Sequence, residues 1–211
     1  MKRREFLGLI GSAALSFSFH DFCKGGSGTS KPNILLIMAD DMGFSDIGCY
    51  GSEIDTPHLD RLAENGLRYN QFYNAARCCP TRASLLSGLY PHQAGMGGMV
   101  HWRDSEKGPY QGYLNDKCVT IAEVLKPAGY KCYMSGKWHV GEFSEKWPMK
   151  RGFDKYYGLI SGAMNYFNIE KGKSKKAERI FVDGDKRITP SEKDFYSTDA
   201  FTDKAIEMLE E

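Results

Sequence analysis

Asn33-Ile34-Leu35-Leu36-Ile37-Met38-Ala39-Asp40-Asp41 is an unbroken apolar run that stops at two carboxylates. Apolar residues without alternation are the pattern of a strand covered on both faces, as in a parallel sheet. Outward from this run, helical and strand patterns take turns. Thr56 is placed to N-cap a helix with Pro57 in its first position, and Leu59, Leu62 and Ala63 give that helix one apolar stripe before Gly66 stops it. Leu67 to Tyr73 alternates as a second strand. Pro80 is the expected first residue of another helix, which holds Ala83, Leu85 and Leu86 and ends at Gly88. Thr120 and Glu123 form a capping box for a helix through Leu125. Tyr130 to Ser135 is a third strand pattern, leading into Gly136-Lys137-Trp138-His139, and Phe201, Ala205, Met208 and Leu209 mark a last amphipathic helix. This alternation implies an α/β sandwich with a mainly parallel central sheet. Only Glu210-Glu211 follows the last helix, with no closing strand, so the sequence reads as truncated at its C-terminus.

The 211 residues are enough for one sizeable core, and 41% hydrophobic with 26% charged residues is the composition of a globular chain. A formal net charge of +1 offers no bulk attraction for nucleic acid or an anionic membrane. The lysine run Lys171 to Lys176 reads as a solvated loop. Residues 1–30 read as an export signal and linker ahead of a domain over 31–211. Lys2, Arg3 and Arg4 form a basic start, and Phe6 to Phe19 is an apolar stretch too short to be a stable membrane span. Arg3-Arg4-Glu5-Phe6-Leu7 resembles the bacterial twin-arginine signal, with an ordinary secretory signal as the alternative. Either implies an exported protein, periplasmic or extracellular. His20-Asp21-Phe22 is a poor lipoprotein box before Cys23, and Gly25 to Ser30 is a flexible linker. Beyond Cys23 and Cys78, Cys49, Cys79, Cys118 and Cys132 lack CxxC spacing and read as small core residues.

Three constellations carry chemistry. Asp40-Asp41 directly after a buried strand lies where α/β sheets bind ligands, and adjacent carboxylates suit a hard cation; the same pair before Met42-Gly43 also suits a plain turn. Cys78 stands just before the helix expected at Pro80, where free N–H groups favour an anion, and Arg82 lies one turn on with a fork that matches a tetrahedral oxyanion. That set suggests attack on a phosphate or sulfate ester, against the alternative of a helix start with a buried thiol. Lys137 and His139 could project from one loop as an anion ligand and a proton carrier, with Trp138 anchoring the loop between them; alone they are as well read as a surface pair.

Cys78-Cys79-Pro80-Thr81-Arg82 with Ala83 to Gly88 resembles the signature of the formylglycine-dependent sulfatases, Cys-x-Pro-Ser/Thr-Arg before a small-apolar helix. Asn33 to Asp41 resembles that family's opening strand, Gly136-Lys137-Trp138-His139-Val140-Gly141 its Gly-Lys-Trp-His-x-Gly segment, and Tyr90 to Met96 the run after its signature helix. The resemblance implies an alkaline-phosphatase-like fold, of which residues 31–211 are the N-terminal part of the catalytic domain. It also implies oxidation of Cys78 to formylglycine by a separate maturation enzyme. One hydroxyl of the hydrated aldehyde would attack sulfur, and the other would expel sulfate. Asp40, Asp41 and modified Cys78 would bind calcium, ahead of magnesium. Arg82 would hold the formylglycine, Lys137 would bind a sulfate oxygen, and His139 would hydrogen-bond the formylglycine. The substrate would be a sulfated small molecule or glycan. The family carries an Asp-Asn type pair, a further histidine and a second lysine beyond the segment matched here. A phosphoric or phosphonate ester hydrolase of the same fold, or an inactive fragment that binds sulfated ligands, are the alternatives. His92, His101, Trp102 and Asn165 read either as pocket lining or as ordinary packing and stay outside the candidate site.

Overall fold

A computed structural model describes residues 31–101, 107–169, 179–190 and 193–211. The expected export signal, Cys23, Trp102 and the lysine run fall outside the described residues. The chain divides into two units, Met1–Ala39 and Asp40–Glu211. In the first unit, residues 31–39 form neither helix nor strand, and Leu35 and Ile37 are 69% and 70% exposed. The strand expected over Asn33 to Ala39 is therefore not formed. A buried strand is made by partners on its edges and layers on its faces, and among the described residues this run pairs with none.

In the second unit, helix α1 is Pro57–Glu64, α2 is Cys78–Ser87 and α3 is Ile121–Leu125. Strands β1 (Tyr133–Lys137), β2 (Lys155–Leu159), β3 (Phe181–Asp183) and β4 (Lys186–Arg187) are followed by helix α4, Ser197–Leu209. The strands form one sheet in the order β1-β2-β3-β4. β1 and β2 are parallel, whereas β2–β3 and β3–β4 are antiparallel. The α/β class thus holds, with a mixed sheet among the described strands. Gly184 and Asp185 close the β3–β4 hairpin, and Gly184 supplies the positive φ of 58° that such a two-residue turn needs.

Several local expectations shift. The capping box at α3 is present as read: Thr120 Oγ1 accepts from the Glu123 N–H, and the Thr120 N–H donates to the Glu123 carboxylate. The third strand starts three residues later than its pattern. Leu67 to Tyr73 is not a strand; Leu67, Phe72 and Tyr73 are 79–87% exposed. Its alternation is real, but no partner edge lies beside it among the described strands. At α1 the Thr56 hydroxyl does not cap its own helix; it accepts from the Gly48 N–H and donates to Asp60.

The core lies between α2, α3 and the sheet. Cys79, Ala83, Met96, Leu114, Trp138, Val140, Tyr156, Ile160 and Val182 form one buried cluster. A smaller cluster of Leu159, Ile169 and Phe181 lies under α4, where Phe201 stacks on Phe181 with centroids 5.9 Å apart. The tightest point of the sheet is the register pair Gly136 and Gly158, where a Cβ on Gly158 would come within 1.9 Å of the Gly136 carbonyl oxygen. That carbonyl also accepts from the buried Tyr156 hydroxyl at 2.9 Å. The pairing continues past β1, because the Trp138 N–H donates to the Leu159 carbonyl and the His139 N–H to the Ile160 carbonyl.

Candidate active site

The α2 helix delivers Cys78, Cys79 and Arg82. It begins at Cys78 itself, two residues ahead of the start expected at Pro80. Arg77 in extended backbone is its N-cap, and the first helical bond runs from the Thr81 N–H to the Arg77 carbonyl. Pro80 is therefore the third helical residue, where an N–H would lack an intrahelical acceptor anyway, so the ring does not break the helix. The N–H groups of Cys78 and Cys79 belong to the same open turn, which favours negative charge at this end. At the other end Gly88 takes the left-handed conformation, φ 69°, as expected.

The end of β1 and the two residues after it deliver Lys137 and His139. Trp138 between them is fully buried; its Nε1 donates to the Lys146 carbonyl at 3.1 Å and its ring meets Phe153 edge-on. Trp138 is thus the anchor that fixes its two neighbours. His139 has φ 55°, a left-handed value uncommon outside glycine, and its two sheet-like hydrogen-bonded neighbours hold it there. Gly162 packs flat against the His139 ring: a Cβ there would sit 2.3 Å from Nε2.

Two groups of side chains result. In the first, the Lys137 ammonium is 2.6 Å from an Asp40 carboxylate oxygen, and Arg82 Nη2 is 3.7 Å from the same oxygen. Arg82 also donates through Nη1 to the Lys137 carbonyl. Arg82 is buried, and its pKa is lowered by desolvation, with Asp40 opposing. In the second, one ligand atom each from Cys78, Cys79 and His139 lie within 4.8 Å of one another. His139 Nε2 is 3.3 Å from Cys79 Sγ, and the tautomer decides which of them donates. Cys79 also has a hydrogen bond from the Val100 backbone, yet burial pushes its thiol up to about 12. Burial pushes His139 down to about 3, helped by the charges of Lys137 and Arg82. His139 is therefore a neutral imidazole at physiological pH. Arg82 Nε and His139 Nδ1 are buried with no hydrogen-bond partner among the described residues.

Five of the six residues singled out in the sequence thus converge. Asp41 is exposed with φ 55°, a value aspartate tolerates in turns, and no hydrogen bond or ion pair joins it to the other five among the described residues. Its position beside Asp40 fits both the turn and the cation reading. The carboxylate oxygens of Asp40 and Asp41 are the donors a hard divalent cation takes; the encoded thiol of Cys78 is not, and only an oxygen in its place would complete such a set. Sequence reasoning missed Cys79 and Gly162. Cys79 was read as packing, and no local pattern links position 79 to position 139; Gly162 could be found only from the contact its missing Cβ allows.

The sequence profile of the family described as Sulfatase matches residues 32–211. The chain is 42% identical over 193 residues to an uncharacterised sulfatase of Schizosaccharomyces pombe, covering 86% of this chain and 35% of that protein. It is 41% identical over 176 residues to the arylsulfatase of Klebsiella aerogenes, covering 81% of this chain and 37% of the relative. Among solved structures, Ps i-CgsB in complex with k-i-k-neocarrahexaose is similar with a TM-score of 0.73 at 32% identity, over 86% of this chain and 42% of that one. The structure of BT4656 in complex with its substrate D-glucosamine-2-N,6-O-disulfate gives 0.64 at 30% identity, over 86% and 31%. The chain therefore spans little more than a third of the length of these curated relatives.

Proposed function

The chain belongs to the sulfatase family, with its alkaline-phosphatase-like fold, and on that premise we propose that the protein hydrolyses sulfuric esters at the site built around Cys78. The observation that carries this reading is the position of Cys78 at the open N-terminus of α2, within reach of His139 and on the same helix as Arg82. Arg82 is in turn tied to Lys137 and Asp40. A nucleophile, an anion-favouring helix end and two cations on neighbouring elements suit attack on a tetrahedral anion.

In this reading Cys78 is converted to formylglycine by a maturation enzyme. Formylglycine would supply a hydrated aldehyde, one hydroxyl of which would displace the alcohol from sulfur, the other then losing its proton to release sulfate and restore the aldehyde. Asp40, Asp41 and the oxygen introduced at Cys78 would hold a hard divalent cation, for which the resemblance favours calcium ahead of magnesium. Arg82 steadies the group at residue 78 and offsets its charge. Lys137, whose ammonium contacts Asp40, would bind a sulfate oxygen with a cation beside that carboxylate. His139, held neutral by burial, hydrogen-bonds the group at residue 78. The substrate class is a sulfated small molecule or glycan, in keeping with the sugars bound by the two solved relatives. Residues 31–211 would be the N-terminal part of the catalytic domain. The basic, apolar start of the chain favours export by the twin-arginine route, to the periplasm or beyond. Among the described residues no helix is long and apolar enough to cross a membrane.

Co-expression with a formylglycine-generating enzyme tests the reading. The peptide Cys78–Arg82 should carry an aldehyde that an aminooxy reagent captures, and the matured full-length protein should release sulfate from an aryl sulfate. Cys78→Ser should lower that rate by about 10⁴–10⁶, the scale seen when an enzyme loses its nucleophile. Intact thiol at Cys78 in every peptide, or faster turnover of an aryl phosphate than of the sulfate, would sink it.

A further inference from the structure

We propose that, before Cys78 is oxidised, Cys78, Cys79 and His139 form a three-ligand site for a thiophilic cation of the Zn²⁺ class. The inference concerns the encoded thiol and does not depend on the sulfatase reading of residue 78.

The argument begins with ligand type. Two sulfurs and one imidazole nitrogen are the soft donor set that zinc selects, and the oxygen set suited to calcium is a different one. The three ligand atoms all lie within 4.8 Å of one another. Zinc–sulfur bonds of about 2.3 Å and zinc–nitrogen bonds of about 2.0–2.1 Å place tetrahedral ligands within that span. Adjacent cysteines cannot ordinarily aim both side chains at one point from a strand. Here the first turn of α2 wraps Cys78 and Cys79 about its axis, and the sheet brings His139 to meet them.

The surroundings match as well. His139 is 96% buried, and its Nε2 already lies 3.3 Å from the Cys79 sulfur, so the nitrogen that would bind the cation faces the thiol. Cys79 receives a hydrogen bond from the Val100 backbone, the kind of outer contact that steadies a metal-bound thiolate. On binding, each thiol gives its proton to solvent and its sulfur forms a bond to the cation. Two thiolates balance the dication, and Lys137 and Arg82 beside Asp40 leave no excess negative charge. With three protein ligands, a fourth position remains for water.

The consequence is a competition. A cation on Cys78 would compete with any reagent or enzyme that needs that thiol free.

The test uses the full-length protein produced without maturation enzyme. Titration with Co²⁺ should give one equivalent showing a thiolate-to-cobalt charge-transfer band, displaced by Zn²⁺. Cys78→Ser and His139→Asn should each weaken binding by at least about 10–100-fold, the scale reported even for outer-shell partners. Because Cys79 is fully buried and its replacement could unfold the core, a second measurement uses the unaltered protein. Zn²⁺ should slow alkylation of Cys78 at least tenfold, with Cys49 as an internal standard that stays unprotected. Prior conversion of Cys78 to formylglycine should abolish the cobalt band. A cobalt spectrum without the thiolate band, or equal alkylation of Cys78 with and without Zn²⁺ in a protein whose near-ultraviolet dichroism is native, overturns the proposal. Neither result bears on whether formylglycine forms.

Discussion

Tyr133–Lys137 pairs residue by residue with Lys155–Leu159, whereas Leu67 to Tyr73, whose sequence alternates like a strand, lies open to solvent. The first segment also receives α4 against its face, where Ser135 donates to the Phe201 carbonyl. The second has the Arg68 guanidinium donating to the Cys49 carbonyl and the Tyr50 hydroxyl donating to the Tyr69 carbonyl. These are single hydrogen bonds to exposed groups, with no ladder. The difference teaches that alternation sets which faces a segment would present, and a neighbour decides whether it is a strand at all. It also separates the molecule by chemistry. Lys137 and His139, which need fixed positions, stand on the paired segment; the open segment carries none of the candidate site residues.

The largest effect expected along this contrast is at Gly158. Gly158→Ala would set a methyl group 1.9 Å from the Gly136 carbonyl oxygen, and its φ of 152° strains any side chain. Overpacking of this kind costs about 1–3 kcal/mol, and the backbone strain adds to it. Urea unfolding should show a loss of about 3 kcal/mol, together with weaker substrate binding because Lys137 follows Gly136 directly. A loss below about 0.5 kcal/mol would mean that β1 and β2 are no more constrained than the open segment.

A smaller effect is expected from His139. Its pKa in the fold is about 3, against the ordinary 6.5, because it is buried and faces Lys137, Arg82 and His101, with only Asp40 opposing. The folded state therefore refuses a proton that the unfolded chain accepts. The stabilisation this provides is complete above about pH 6.5 and declines as pH falls toward 3. Unfolding measured from pH 8 to 3 should show a component of this decline that His139→Gln removes. An identical pH profile in the variant would show that the imidazole is not held neutral by its surroundings.

The smallest effect belongs to the open segment. Leu67→Ser, at a side chain 87% exposed, should change stability by less than about 0.5 kcal/mol. Leu114→Ala, at 1% exposure in the core, should cost about 2–5 kcal/mol in the same assay. Comparable losses at the two positions would erase the contrast between the regions.

The α3 capping box was legible because Thr120 and Glu123 satisfy each other's backbone within one turn, a property of four consecutive residues. The glycine stop of α2 was legible for the same local reason, and so was the role of Trp138 as an anchor between Lys137 and His139. The start of α2 was misplaced by two residues, because proline is accepted throughout the first turn and marks the region rather than the residue. The order of Asp40, Cys78, Arg82, Lys137 and His139 along the chain pointed to the family and to the candidate site residues. It could not show that Asp40 meets Arg82 and Lys137 while His139 meets Cys79. Those are pairings across 42 to 97 positions, set by how α2 docks beside the end of β1. Sequence by itself determined residue types, helix ends and periodicity, since these depend on a few neighbouring dihedrals. Only the tertiary structure decided which segments became strands and which side chains met, since hydrogen-bond ladders and desolvated contacts need a partner that the chain must bring from far away.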